Sequence, residues 1–235
     1  MYIYGKNVAK EKLNSNGKIN RIYLSNKFSD KEILMLIKKK NIKYKIVSNN
    51  ILDNKVDGLH QGIVIEVDDL ETYDFDYIKT IKKENPLIVM LDHLEDPHNF
   101  GAIIRTCEAL GIDAIIIPKD RNVSVNATVV KTSAGAIYNM PIIAVSNLLS
   151  TVNKLKDMGY WIIGTDMTGD DYTKLDYNMP ICLIIGNEGH GMSKVLKDNV
   201  DFVAKIPMIG KINSLNASVS CGIILSRIVS GDRNE

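Results

Sequence analysis

Leu183-Ile184-Ile185-Gly186-Asn187-Glu188-Gly189-His190-Gly191-Met192 is the stretch on which the reading of this chain turns. An apolar run of β-type residues stops at a glycine-rich bend, as a strand does when its end must pass close to a ligand or turn through positive φ. A second apolar run ends at Ile206-Pro207-Met208, and a polar loop then enters a helix, with Asn213 or Ser214 placed to cap it ahead of Leu215-Asn216-Ala217. Upstream, strand and helix patterns alternate. The periodicity predicts strands at 87–91, 112–117, 142–145 and 160–165, and helices at 100–110, near 127–137 and near 148–158. Alternation with short connections implies a largely parallel sheet covered on both faces. In such a sheet ligands bind at the carboxyl ends of the strands, so the two bends are expected to form opposite walls of one pocket.

The 235 residues, 45% of them hydrophobic, suffice for one large or two modest domains with a substantial core. Apolar runs are of strand length, well short of the ~20 residues of a membrane span, and the first residues lack a cationic segment leading into an apolar one. A cytoplasmic protein is expected. Cys107, Cys182 and Cys221 lie far apart in apolar contexts, which fits reduced core thiols and offers no metal spacing.

Net charge is +1 but unevenly spread. Residues 1–67 carry 13 Lys+Arg against 6 Asp+Glu, whereas 68–85 and 86–235 are each net acidic by three. A cationic module that holds a polyanion, joined to a near-neutral catalytic domain, accounts for that split; solvated lysines are the plainer alternative. The first third reads as a small α/β sandwich: a helix after Tyr2-Ile3-Tyr4-Gly5, strands at 19–24 and 42–47, a helix behind a Ser29 or Asp30 cap, and a strand at 63–67 after His60-Gln61-Gly62. His60 could touch a ligand, but a lone histidine in a loop is more often structural or merely solvated. The boundaries are placed at 1–70 for this domain, 71–85 for a linker ending at Asn85-Pro86, and 86–235 for the larger domain.

Three segments carry more polar detail than packing needs. In the first, Asn99 is placed to cap the helix it opens, and Arg105 and Glu108, three apart, share a face and can pair. His93 and His98 lack a third ligand at suitable spacing, so no metal is assigned. In the second, G-x-x-G-x-G at Gly186 to Gly191 reverses the dinucleotide fingerprint and no G-K-[ST] follows, which argues against NAD and ATP. The third, Ile206 to Ala217, adds a tight turn and the caps Ser214 and Asn216, followed by a helix of small residues.

Taken in order, Asn99-Phe-Gly-Ala-Ile-Ile-Arg105 with Glu108, then Gly186-Asn187-Glu188-Gly189-His-Gly191-Met192, then Ile206-Pro207-Met208 with Ser214-Leu215-Asn216-Ala217, resemble the motifs of the SpoU (TrmH-like) family of SPOUT RNA methyltransferases. Ile3-Tyr4-Gly5-Lys6-Asn7 and His60-Gln61-Gly62 are similar to the substrate-binding domain of the branch that modifies large-subunit ribosomal RNA. The resemblance implies a C-terminal α/β parallel-sheet domain closed by a trefoil knot, against the general rule that chains do not thread loops. It implies 2′-O-methylation of a ribose in RNA, a guanosine of 23S ribosomal RNA first, with S-adenosylmethionine as cofactor. The implied partners are RNA and a second copy of the chain, with neither DNA nor a membrane.

Carried over position by position, Gly186, Ile206 and Leu215 bind the cofactor, with Thr165, Met208 and Ala217 as further walls. Arg105 activates the ribose hydroxyl, and Asn99, Glu188, Ser214 and Asn216 position it and the RNA. An arginine hardly ever gives up its proton, so stabilising a developing alkoxide or holding the neighbouring phosphate suits it better than acting as a base. A transfer-RNA ribose methylase and a non-catalytic RNA-binding protein on the same scaffold are the competing readings.

Overall fold

The computed structural model describes residues 1–120 and 123–231. The chain opens with a four-stranded sheet. Strands β1 (Tyr2–Tyr4), β2 (Arg21–Ser25), β3 (Tyr44–Val47) and β4 (Ile63–Glu66) lie in the order β1-β4-β2-β3, antiparallel except for the β2–β3 pair. Helices α1 (Lys6–Asn14) and α2 (Lys31–Lys39) set Val8, Leu13, Ile33 and Ile37 against Ile3, Ile22, Leu24, Ile63 and Ile65 on one face. The short α3 (Asn49–Asp53) places Leu52 on Tyr23 and Val64 of the other. Alternate strand residues face opposite ways, so β2 and β4 feed both layers and are buried at nearly every position. Between Ser29 and Asp30, the cap is Asp30, whose Oδ1 accepts from Ile33 N–H at 3.2 Å. His60 is structural: its Nδ1 accepts from Gly62 N–H at 2.8 Å and its Nε2 meets Asp53 at 3.1 Å.

The acidic stretch after β4 is not bare chain. It forms a 3-10 helix at Phe75–Thr80 that buries Ile78, and Tyr73 bridges to Ile143.

The larger sheet comprises β5 (Leu87–Leu91), β6 (Ala114–Pro118), β7 (Ile142–Val145), β8 (Trp161–Asp171), β9 (Ile181–Ile185) and β10 (Phe202–Lys205). Their order is β10-β8-β9-β5-β6-β7, and every pair is parallel. All carboxyl ends therefore point one way. Helices α4 (Pro97–Ala109), α5 (Ala127–Thr132) and α8 (Ala217–Ser230) cover Val89, Leu91, Ile115 and Leu183. The 3-10 helix with α6 (Leu148–Asp157) and α7 (Lys194–Lys197) covers Ile88, Met90, Ile116 and Ile184. Helices on both faces explain why β5, β6 and β9 read as unbroken apolar runs. Full burial of each such Ile or Leu contributes about 1.5–3 kcal/mol.

The same apolar cluster that lies under α4 and α8 continues into the first sheet's core, so the two units share one packed interior. Across their junction Lys12 Nζ sits 4.8 Å above the Tyr138 ring, and Asn139 Nδ2 donates to Glu11 at 3.1 Å. Among the described residues no helix is long and apolar enough to cross a membrane.

Three sequence expectations need correction. The helix expected from Phe100 begins at Pro97, and its cap is Asp96, which accepts from His98 N–H at 2.8 Å. Pro97, with no N–H and a helical φ, suits the first helical position, which leaves Asn99 inside the first turn. The helix expected over 127–137 ends at Thr132; Ala134 (φ 53°) and Gly135 (φ 91°) turn left-handed before a 3-10 turn at Ala136–Tyr138. The strand expected to end at Thr165 runs on to Asp171, but with an excursion. Gly164 pairs with Val203 and Asp170 with the next residue, Ala204, so Thr165 to Gly169 leave the ladder and return to it.

Candidate active site

Two bends at the carboxyl edge of the sheet meet over one cavity of about 680 Å³. The first follows β9. Asn187 and Gly191 exchange backbone hydrogen bonds at 2.9 Å each way, closing the glycine loop on itself. Inside it, Asn187 Oδ1 accepts from Gly189 and His190 N–H at 2.8 and 3.3 Å. Gly186 is required by contact rather than by φ: a Cβ there would lie 2.4 Å from the Gly191 carbonyl carbon and the Met192 nitrogen.

This loop is tied to the end of β5. Asn187 Nδ2 donates to the His93 carbonyl at 2.8 Å, and the buried Asp92 carboxylate accepts Ser193 N–H at 2.6 Å while meeting His93 Nδ1 at 2.6 Å. A carboxylate that is 2% exposed must be satisfied in this way.

The second bend joins β10 to α8. Of the caps the sequence offers, Asn213, Ser214 and Asn216, the structure uses Asn216: its Oδ1 accepts from Ser218 and Val219 N–H at 2.9 and 3.3 Å. Asparagine serves the cap as well as serine does, and the chain enters the helix two residues later than the serine suggested. The cap also orients the amide. With its oxygen on the helix, Asn216 turns Nδ2 to Asn99 Oδ1 at 2.8 Å, and Asn99 therefore presents its own Nδ2 to Glu188 Oε1 at 3.0 Å. The three residues come from the α8 cap, the first turn of α4 and the glycine loop. Their hydrogen bonds run one way, ending on a carboxylate.

Thr165, Gly186, Glu188, Ile206, Met208, Ser214, Leu215 and Ala217 all line the cavity. Asn99 and Asn216 stand behind Glu188 through the hydrogen bonds above. Arg105 is elsewhere: it is exposed on α4 and outside the cavity lining. No ion pair joins it to Glu108 among the described residues, as expected of two exposed groups whose pairing gains little in water.

Four residues that shape the site were not singled out in the sequence. Asp166 and Lys205 line the cavity. Asp166 is held below the usual carboxylate range by hydrogen bonds from Thr168 and by Lys197, whose Nζ is 3.0 Å away. Asp92 and Asn187 fix the loops; an acidic residue directly after a buried strand, and an asparagine inside a glycine bend, were the available signals. Among the described residues no group of His, Cys, Asp or Glu could hold a metal ion.

A knotted α/β fold with its pocket at the strand ends defines a class, the SPOUT methyltransferases, and the comparisons place the chain within it. Residues 86–226 match the model of the SpoU rRNA Methylase family, and residues 2–73 match that of the RNA 2′-O ribose methyltransferase substrate-binding domain. The TrmH family tRNA/rRNA methyltransferase YacO of Bacillus subtilis is 40% identical over 234 residues, covering 97% of this chain and 94% of that protein. A Staphylococcus aureus TrmH family tRNA/rRNA methyltransferase is also 40% identical, over 96% of this chain and 94% of its own length.

Among solved structures, the SpoU methyltransferase AviRb of Streptomyces viridochromogenes shares the fold at a TM-score of 0.84, with 24% identity over 97% of this chain and 88% of that one. Its complex with the cofactor AdoMet superposes at 0.81, with 23% identity over 97% and 89%. This chain belongs to the SpoU family of RNA methyltransferases.

Proposed function

We propose that the protein transfers a methyl group from S-adenosylmethionine to the 2′-oxygen of a ribose in RNA, in the cytoplasm, with a guanosine of 23S ribosomal RNA as its target. The observation that carries this reading is the cavity itself, walled by apolar Ile206, Met208 and Leu215 and backed by the hydrogen-bonded chain from Asn216 through Asn99 to Glu188. The residues fit the cofactor. A volume of 680 Å³ suits a nucleoside-sized ligand, apolar side chains can flank an adenine, and Glu188 and Asp166 favour a cation. Among the described residues Lys205 is the one lysine of the lining, in keeping with a ligand without phosphates.

When bound, the cofactor supplies an electrophilic methyl group. Gly186, Ile206 and Leu215 hold it through main-chain groups and apolar contact, with Thr165, Met208 and Ala217 as further walls. Glu188, fixed by Asn99, and Ser214 with Asn216 position the ribose; orientation of this kind lowers a barrier by several kcal/mol. Arg105 is assigned to the phosphate beside the reacting ribose or to the developing alkoxide, charge that a permanently protonated guanidinium stabilises.

The division of labour follows the charge: residues 1–70 hold RNA, 71–85 join, and 86–235 carry out the chemistry. A homodimer is part of this reading. Ile209 (101% exposed) and Ile212 on the second bend and Val219 on α8 are exposed apolar side chains, which a second copy bringing its Arg105 would cover. The substrate-binding model matched by residues 2–73 supports ribose as the target. The names of the relatives allow transfer RNA as well as ribosomal RNA.

Calorimetric titration with S-adenosylmethionine and methylation of a 23S transcript, for wild type and Arg105→Ala, test the reading. Arg105→Ala should bind the cofactor within about threefold of wild type while methylation falls by at least about a hundredfold, the scale of a lost charge-stabilising group. Near-normal single-turnover rates would remove Arg105 from the chemistry, and a wild type that binds no S-adenosylmethionine would end the enzymatic reading.

A further inference from the structure

The first sheet has two edges with different fates. Strand β1 abuts the larger unit: Lys131 of α5 places its Nζ 4.9 Å over the Tyr4 ring and donates to the Leu59 carbonyl. Strand β3 is the opposite edge, three strand spacings away, or about 14 Å. Lys43, Tyr44, Lys45 and Ile46 are all exposed there, on both faces of the strand, Tyr44 at 47% and Ile46 at 67%. The last turn of α2 adds the exposed Lys38 and Lys39. From Ile33 to Leu52 the chain contains five lysines and no acidic residue.

Part of the unit's remaining cationic charge is neutralised locally. Lys6, Lys10 and Lys18 are paired with Asp30, Glu32 and Asp68. Lys38, Lys39, Lys43 and Lys45 have no ion pair among the described residues. Lysines in the last turn of a helix complement its dipole, which accounts for Lys38 and Lys39 alone. Lysines on an edge strand also deter pairing with other sheets, but an exposed Tyr and Ile on the same strand would undo that effect. Unpaired cations alternating with an aromatic and an aliphatic side chain are what a nucleic-acid strand meets, phosphates on the lysines and an unstacked base on the ring.

We propose that the β3 edge and the α2 terminus form a second RNA contact, gripping the phosphodiester chain of the substrate at a distance from the nucleotide being modified. The inference rests on the RNA-methyltransferase reading above and adds the surface that reading lacks. Because the sheet separates β3 from the junction, only an extended polymer can occupy both this edge and the cavity.

The test compares wild type, Lys39→Glu/Lys43→Glu/Lys45→Glu, the same three positions changed to Arg, Tyr44→Ala, and a control with Lys10 and Lys18 changed to Ala. Binding of in vitro transcribed large-subunit ribosomal RNA, and of mixed transfer RNA, is measured from 50 to 300 mM salt, with S-adenosylmethionine binding as the check on folding. The Glu variant should lose at least about tenfold in RNA affinity, and its log-log salt slope should fall by about 2, as expected for three lost contacts to a single strand. The Arg variant should restore both. Tyr44→Ala should weaken binding with the slope unchanged, and the control should change little.

A Glu variant with wild-type affinity and slope, in a wild type that methylates RNA, overturns the contact and leaves the enzyme reading intact. A wild type that binds neither RNA overturns both. If the Glu variant fails to bind S-adenosylmethionine and so has not folded, the Arg variant and Tyr44→Ala decide: loss of slope on Arg substitution, or no effect of Tyr44→Ala, counts against the proposal.

Discussion

Asn99 shows what a residue's type discloses and what it conceals. Its sequence position, at the start of a helix and ahead of an apolar face, fitted a cap, and the structure gives that task to Asp96. What Asn99 does instead is accept from Asn216 and donate to Glu188, two residues far from it in the chain. No local pattern reports a partner 117 positions away. The glycines were more legible, because a bend after a buried strand calls for them whatever lies opposite. Gly186 is the sharpest instance, since backbone rather than a movable side chain occupies the space its Cβ would need. Gly186→Ala is therefore expected to cost about 2 kcal/mol or more in urea unfolding and to abolish S-adenosylmethionine binding. Gly159→Ala is the comparison. Its φ of 87° is strained for alanine but nothing lies within 4 Å of the new Cβ, so it should cost about 1–2 kcal/mol and leave ligand binding intact.

At the scale of elements, the strands at 87–91 and 142–145 were read to the residue because a sheet buried on both faces leaves a continuous apolar run, whereas β8 outran its expected end by six residues. Helix ends were read less well. Capping residues cluster before each helix, and only the backbone path decides which of them serves. The α4–α8 contact was visible only as small residues on α8; it places Thr106 beside Gly222 and buries Cys107 and Cys221 side by side. Burial, then the neighbouring Cys221, pushes the Cys107 thiol well above its ordinary range, and burial does the same to Cys182. All three cysteines are free and buried, out of reach of a reagent, so none should react with a disulfide reagent in native buffer over an hour, and all three should be labelled in denaturant. Rapid labelling of the folded protein would show that α8 detaches from α4 more readily than the packing implies.

For the whole molecule, the division into a cationic and a near-neutral part was legible from charge, whereas the shared core beneath them was not, because its contacts join residues from both ends of the chain. The buried interior of the larger unit also contributes to behaviour at high pH. Tyr160 and Tyr177 are each pushed up to about 12, chiefly by burial. The folded state thus holds those protons more tightly than the unfolded chain, whose tyrosines titrate near 10. Their stabilisation is complete below pH 10 and is lost as pH rises from 10 toward 12. Urea midpoints measured at pH 7, 8 and 11 should be level between the first two and fall at the third.

The detour of β8 between Gly164 and Asp170 has a consequence of its own. It leaves and rejoins the ladder at adjacent rungs of β10, yet it delivers Thr165, Asp166 and Met167 to the cavity. The number of residues in the detour is thereby uncoupled from the alignment of either strand. The pocket floor can be lengthened, shortened or recomposed by insertion or deletion there while the scaffold beneath it keeps its register.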